Sequence, residues 1–597
     1  MRGAWLAGLV LGVAAQAGAA EFDRLFVFGD SLSDTGRVDE LTLGREPGPL
    51  YYDGRFSNGP LWVEGLAPLV GAPYRQGLNF AYAGAETSGI SQVGVPGVLG
   101  QIGQFVLNRP AGRSGGLYAV WAGGNDYLRQ VQAGTDLAPV VERTVANLER
   151  AVSRLARLGG RTFVLPNLPD LGDVPDVRGS ERAAALTAAT DAHNARLARA
   201  AESLARQLGV KIVVADVNAL FRQVRAEPGQ YGFINTREPC LRDGTPTGAC
   251  ATQAAADASV FWDELHPTAA AHRLIAEFVN GTLMALNDAA ETVAVQSQLA
   301  LHTAAGWHRA LLAGRRAAVP GPGGRTAFLV GGAAWGRQDG QAAQVGYRYD
   351  TQAAGVGAEL PVGEAVRVGV SIGHTQGSAE LSGDAGSLDL TSTVVGVHAV
   401  AEHGGWHLAA AGSYAFDRYG GVIRRTGFAP LPQASAETDG RTLGVSVEGG
   451  YTAALGAVTL TPSVGLRFTH VRIDGYRESG AGVLSLSVQD QHARSLVGRV
   501  GAEASTRLTL GRATVVPRLS LAWEHEFADD ARPVTVFFPD GRRNRVSPDA
   551  DWRDALVVGV GVSATLLPAL SAALGYEAHL RAGGHEHTVS ARLQARF

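Results

Sequence analysis

The chain has 597 residues, too many for one ordinary domain. Its 52 basic and 56 acidic residues leave a formal charge of −4, which speaks against a nucleic-acid partner. No internal run of about 18 or more apolar residues marks a spanning helix.

Residues 1–20 carry one charge at Arg2, an apolar run from Ala4 to Ala15, and the small residues Ala17-Gly18-Ala19. This pattern predicts a secretory signal peptide cleaved after Ala19 or Ala20. The apolar run is too short for a helical membrane anchor.

Residues 21–286 read as an α/β domain. Apolar, β-prone segments occur at Leu25–Phe28, Leu117–Trp121, Thr162–Leu165 and Val210–Ala215. Helical stretches lie between them. Val141, Val145, Leu148, Val152 and Leu155 form one helical face, and Gly159-Gly160 stops that helix. A second helix is expected over Ser180–Leu208. Strands alternating with helices predict a parallel sheet with helices on both faces.

Two cysteines, Cys240 and Cys250, stand in a Gly/Pro-rich loop. In a secreted chain such a pair reads as a disulfide. A zinc site is the alternative, but structural zinc wants four ligands. The only lysine is Lys211, so the motif around Ser31 has no lysine at hand as a base.

The composition changes near residue 287. Ala289–Arg316 reads as one helix ended by Pro320-Gly-Pro-Gly-Gly324, within a linker spanning 287–324. From 325 to 597 the period becomes two, as in Ala327–Trp335, Val366–Ile372, Val464–Phe468 and Leu519–Trp523. About twelve such segments, separated by Gly/Asp turns, predict an all-β outer-membrane barrel of twelve strands with the helix through its pore. On the last strand Val589, Ala591, Leu593, Ala595 and Phe597 share one face, and Ser590, Arg592, Gln594 and Arg596 share the other. Trp335, Tyr347, Trp406, Trp523 and Tyr576 are expected in outward aromatic girdles. A soluble sandwich would alternate too.

Four stretches carry candidate chemistry. Phe26-Val-Phe-Gly-Asp30-Ser31 ends a buried strand in a serine, where α/β sheets bind ligands. A turn capping a helix is the plain alternative. Asn79-Phe-Ala-Tyr-Ala-Gly84 is a small-residue turn, and Gly84 can serve packing alone. Asn125 follows the strand at Leu117–Trp121, and an ordinary helix cap explains it equally. Asp263 precedes His266 by three residues, which on a helical turn puts both on one face. Asp263 can then orient His266, and His266 can take a proton from Ser31. A surface pair before Pro267 is the alternative. His585 and His587, two apart on the last strand, are expected to be solvated rather than metal-binding.

Taken together, Phe28-Gly-Asp-Ser31-Leu-Ser-Asp-Thr-Gly36, Gly84, Gly123-Gly-Asn125-Asp126 and Asp263-Glu-Leu-His266-Pro267 resemble the GDSL family of the SGNH hydrolases. The resemblance covers about residues 22–280. It implies a flavodoxin-like α/β fold, with Ser31 as nucleophile, His266 as base and Asp263 as its orienting acid. The Ser31 amide, the Gly84 amide and the Asn125 side chain would form the oxyanion hole. Arg37 departs from the family, which often has Asn there. No metal or cofactor is implied. The whole chain resembles an autotransporter esterase, with a catalytic passenger, a linker helix and a barrel of twelve strands. That implies a monomer in a Gram-negative outer membrane, with the catalytic domain on the cell surface. Its partners would be an acyl ester or lipid substrate, the lipid bilayer, and the barrel-insertion and periplasmic chaperone machinery. Two other functions stay open: an acyltransferase using the same acyl-enzyme, and a surface adhesin that has lost the chemistry.

Overall fold

A computed structural model describes residues 22–597 except 109, 112, 313–323, 341–344, 512, 529–532, 540, 542 and 547–552. The expected signal peptide at 1–20 lies outside the described residues, as do Arg316 and most of the turn at Pro320–Gly324. The chain divides into two compact units near Leu283 and Met284.

The first unit is built on a parallel sheet of β1 (Arg24–Gly29), β2 (Gly116–Trp121), β3 (Thr162–Pro166) and β4 (Lys211–Ala215), in that order. All four match the segments expected from the sequence. Every residue of β2 is buried, as a strand covered on both faces requires. Phe26, Phe28, Phe80, Phe105, Tyr118 and Phe163 form the centre of the core. Helices Val98–Asn108, Ala138–Arg157 and Ala183–Leu208 bury their apolar stripes here; Phe105, Leu148 and Leu197 are their contributions.

The backbone at Asn79–Tyr82 runs parallel to β1 on the edge away from β2, through Phe80 N to Val27 O and Tyr82 N to Gly29 O. The chain therefore leaves β1 to one side and returns on the other. That makes the end of β1 a switch point, where open parallel sheets hold their ligands.

The long helix differs from expectation. It begins at Ala269, twenty residues before the expected start, and runs unbroken to Leu312 over 44 residues. Thr268 starts it, its Oγ1 accepting the Ala271 amide at 3.3 Å. Sequence periodicity missed this because the first half is buried on several sides, so it shows no simple apolar stripe.

The second unit is an antiparallel barrel of twelve long strands, joined in chain order from Thr326–Gln338 to Gly584–Arg596. The first strand pairs with the last, Thr326 opposite Arg596 and Gln338 opposite Gly584, which closes the sheet. The faces of the last strand are as expected. Leu593 and Phe597 are exposed, while Arg592 and Gln594 are buried in the interior. Trp335, Trp406 and Trp523 lie outward. Tyr576 joins the hydroxyl–imidazole pair with His587, whose ring stacks on Trp335. Tyr347 is a correction: it is buried, faces inward and contacts His302 of the long helix. The strand Tyr347–Val362 alternates with Tyr347, Tyr349 and Thr351 on the inner face, so its aromatic belongs to the lumen.

Within this unit the helix fills the barrel. Trp307 lies against Gly355 and Gly373, where a Cβ at Gly373 would come within 2.2 Å of the indole. Glu586 accepts hydrogen bonds from Arg309 and Tyr349 and pairs with His302. His308 bonds Ser413 and Ser446. Among the described residues no helix is long and apolar enough to cross a membrane, a statement that does not bear on strands.

Candidate active site

Gly29 ends β1 because nothing larger fits: a Cβ there would meet the Trp121 carbonyl at 2.4 Å. Gln101 clamps this residue from the helix Val98–Asn108. Its side chain accepts from Gly29 N at 2.9 Å and donates to Gly29 O at 2.8 Å. The chain then turns sharply, with Ser33 N and Asp34 N both donating to Asp30 O. Ser31 stands at this bend.

Asp34 organises the backbone on either side of the bend. Its carboxylate accepts from the amides of Gly36, Arg37 and Val38, holding the start of a short helix. It also accepts from Ala83 N at 2.8 Å. That bond ties the Ser31 turn to the Gly84 turn. Gly84 has φ +74°, a conformation that favours glycine. Arg37, the departure noted in the sequence, donates to Asn79 O and stacks over Phe80 and Tyr82. It braces the same turn.

Asn125 reaches this turn from the first turn of the helix Gly124–Gln132, which follows β2. Its Nδ2 donates to Ala85 O at 3.0 Å. The next residue, Asp126, accepts from both the amide and the hydroxyl of Thr87. Residues 84–87 are thus fastened to Asn125-Asp126. Among the described residues neither the Ser31 amide nor the Gly84 amide has a protein acceptor.

His266 Nε2 lies 2.8 Å from Ser31 Oγ. Its Nδ1 lies 2.8 Å from Asp263 Oδ2 and 3.0 Å from Oδ1. A carboxylate only accepts, so Nδ1 carries the hydrogen and Nε2 is left to accept from the serine hydroxyl. The Asp263–His266 segment is not helical, contrary to expectation. Asp263 Oδ1 accepts the amides of Leu265 and His266, and this side-chain-to-backbone turn brings the two side chains together. Asp263 Oδ2 also accepts from the Tyr51 hydroxyl at 2.9 Å.

Burial opposes ionisation of both Asp263 and His266. Their mutual attraction prevails, holding the Asp263 carboxyl below and the His266 imidazole above their ordinary ranges. Asp30, buried at the same bend, is pushed up to about 7 by burial, and its charge also favours the imidazolium. Burial raises Asp126 to about 6.

Ser31, His266 and Asn125 line one cavity. Its other walls are mainly apolar, with Leu128, Leu168, Leu171, Val174, Phe221 and Leu265. Of the five expected site residues three thus line the cavity; Asp263 backs His266 from behind, and Gly84 stands in the turn joined to Asn125. The sequence reading missed Tyr51, Gln101 and Asp34. Asp34 was legible as the last acid of the serine motif. Tyr51 and Gln101 carried no signal, because each acts across a large sequence separation.

The model of the GDSL-like lipase/acylhydrolase family matches residues 25–279, and that of the autotransporter β-domain matches 327–577. A phosphatidylcholine-sterol acyltransferase of Aeromonas hydrophila is 30% identical over 46% of this chain and 93% of its own. The chain belongs to the GDSL-like lipase/acylhydrolase family. Its second unit carries an autotransporter β-domain, closed as a barrel of twelve strands. Esterase EstA of Pseudomonas aeruginosa is 26% identical over 98% of this chain and 97% of its own. Thermolabile hemolysin of Vibrio parahaemolyticus is 29% identical over 43% of this chain, which spans 63% of that protein.

The cysteines are joined as expected. Cys240 and Cys250 form a disulfide with Cα atoms 5.0 Å apart, around the small hairpin Leu241–Arg242 and Thr245–Pro246.

Proposed function

We propose that this GDSL hydrolase acts at the cell surface on carboxylic esters through an acyl-enzyme, with Ser31 as nucleophile, His266 as base and Asp263 as orienting acid. One observation carries the reading: the continuous relay from Ser31 Oγ through His266 to Asp263, with both links at 2.8 Å. A serine hydroxyl is a weak nucleophile until a base accepts its proton. His266 takes that proton as Oγ attacks the ester carbonyl. The resulting oxyanion is held by the Ser31 and Gly84 amides and by the second Nδ2 hydrogen of Asn125, whose first is committed to Ala85. His266 then gives its proton to the departing alcohol. Water, deprotonated by the same imidazole, adds to the acyl-enzyme and releases the acid. The apolar cavity beside Ser31 suits an acyl chain.

The catalytic passenger is assigned to residues 21–286, the linker to 287–324 and the barrel to 325–597. The barrel holds the protein in the outer membrane as a monomer, and the passenger faces outward. Export engages the periplasmic chaperones and the barrel-insertion machinery. A second reading has a specific support: the relative from Aeromonas hydrophila is named an acyltransferase. In that case an alcohol replaces water in the second half-reaction.

The test uses intact cells displaying wild-type protein and Ser31→Ala at equal amounts. An ester too large for porins should be hydrolysed only by wild type, and external protease should abolish the activity. Activity of Ser31→Ala within tenfold of wild type would overturn the assignment. Added alcohol that diverts most of the product to a new ester would favour the transferase.

A further inference from the structure

We infer that Tyr51 is a positioning residue for the triad, its hydroxyl fixing Asp263 and through it His266. This rests on the esterase reading above. Among the described residues Asp263 has four hydrogen-bond partners. Oδ1 accepts two backbone amides of its own turn. Oδ2 faces His266 Nδ1 at 2.8 Å and Tyr51 Oη at 2.9 Å. Of these partners Tyr51 alone comes from elsewhere in the chain, 212 residues away. Without it, the carboxylate would be held by its local turn and by the histidine it has to orient.

The segment bringing Tyr51 is built for rigidity. Ser57 Oγ donates to Pro267 O, and the Ala269 amide donates to Asn58 Oδ1. Together with Tyr51 and Asp263, these bonds lace residues 51–58 to residues 263–269 at three points. Arg55 anchors the middle through Glu64 and Asp53. The rings continue the contact: Tyr51 packs on Phe56 at 6.0 Å, and Phe56 on the His266 imidazole at 5.2 Å. The strap thus holds the acid by a hydrogen bond and covers the base with a ring.

The hydroxyl is a permanent donor. Burial, with the charge of Asp263, pushes the phenol well above its ordinary range. Donation to the carboxylate draws off some of its negative charge, which lessens its hold on a proton at His266. The charges acting on Tyr51 are Asp263, Glu264 and Glu46; those acting on His266 are Asp263 and Asp30. None but Asp263 is common to both.

Tyr51→Phe removes the hydroxyl and keeps the ring. Wild type, Tyr51→Phe and Ser31→Ala are compared as full-length, heat-modifiable protein, on a soluble nitrophenyl ester across pH. The expected result is a kcat lower by about ten- to a hundredfold, the range for a hydrogen bond to a charged group. KM should stay within about twofold, as for an interaction outside substrate binding. The acidic limb of kcat/KM should move to higher pH, because the unshared carboxylate holds the imidazolium more strongly. Unchanged kcat and limb would overturn the inference. So would a kcat loss with a lowered melting temperature and an unmoved limb, which is a structural role. Should Tyr51→Phe unfold, Tyr51→His retains a donor and should restore part of kcat; a folded Tyr51→His as slow as Tyr51→Leu would also overturn it. An active Ser31→Ala would instead sink the esterase reading itself.

Discussion

His266 Nδ1 sits 2.8 Å from Asp263 Oδ2, three residues away, across a turn that Asp263 itself builds by accepting two backbone amides. One carboxylate therefore shapes the loop and holds the imidazole, the orienting role proposed for it. Asp263→Asn should keep much of the turn, since the amide oxygen still accepts. Its NH2 can face Nδ1, however, and favour the wrong imidazole tautomer. We expect kcat to fall about 10³–10⁴-fold with the melting temperature nearly unchanged. A loss below tenfold would show that His266 needs no carboxylate.

Asn125→Ala should lower kcat about 10²–10³-fold and leave KM nearly unchanged, as removal of one oxyanion donor does. Asn125 also holds Ala85 O, so thermal unfolding should be measured alongside. An unchanged kcat with a raised KM would make Asn125 a substrate-binding residue.

On the proposed mechanism the acidic limb of the kcat/KM profile reports His266, which has to be neutral to accept the serine proton. Asp263 and Asp30 hold its pKa above the ordinary imidazole value despite burial. Activity should therefore fall as pH drops through a midpoint above about 6.5. Asp30→Asn removes one negative charge acting on the imidazolium and should move that midpoint to lower pH. Movement upward, or none, would show that the Asp30 charge does not reach His266.

Cys240 and Cys250 close a ten-residue separation, for which chain entropy gives about 2–3 kcal/mol. Thiol labelling of denatured, unreduced protein should find no free thiol. Reduction should lower the stability of the catalytic unit by that amount, read by denaturant titration of near-ultraviolet signals. Two labelled thiols in exported protein would refute the bridge.

Glu586 is buried in the barrel and satisfies Arg309, His302 and Tyr349 at once. Glu586→Ala leaves the Arg309 guanidinium without this partner, a loss of about 3–5 kcal/mol for a broken buried pair. The temperature at which the folded barrel converts to its slower-migrating form should fall. Bilayer recordings should show larger conductance as the helix loosens. An unchanged conversion temperature and conductance would mean that packing around Trp307 alone retains the helix.

Much of this protein was written in local pattern. The four sheet strands, the twelve barrel strands and the two faces of the last strand come from hydrophobic period, which reports burial directly. The five candidate site residues were legible because their motifs, taken together and in order, resemble the GDSL pattern; singly, each also reads as a turn, a cap or a surface pair. Three matters were decided only by tertiary structure. The start of the long helix at Ala269 was hidden because its first half is buried on several sides, which erases the periodic stripe. Tyr347 faces the lumen because barrel register, not aromatic character, sets the side of a residue. Tyr51 meets Asp263 across 212 residues, and no local period encodes a contact that exists only once the sheet, the strap and the turn have packed together.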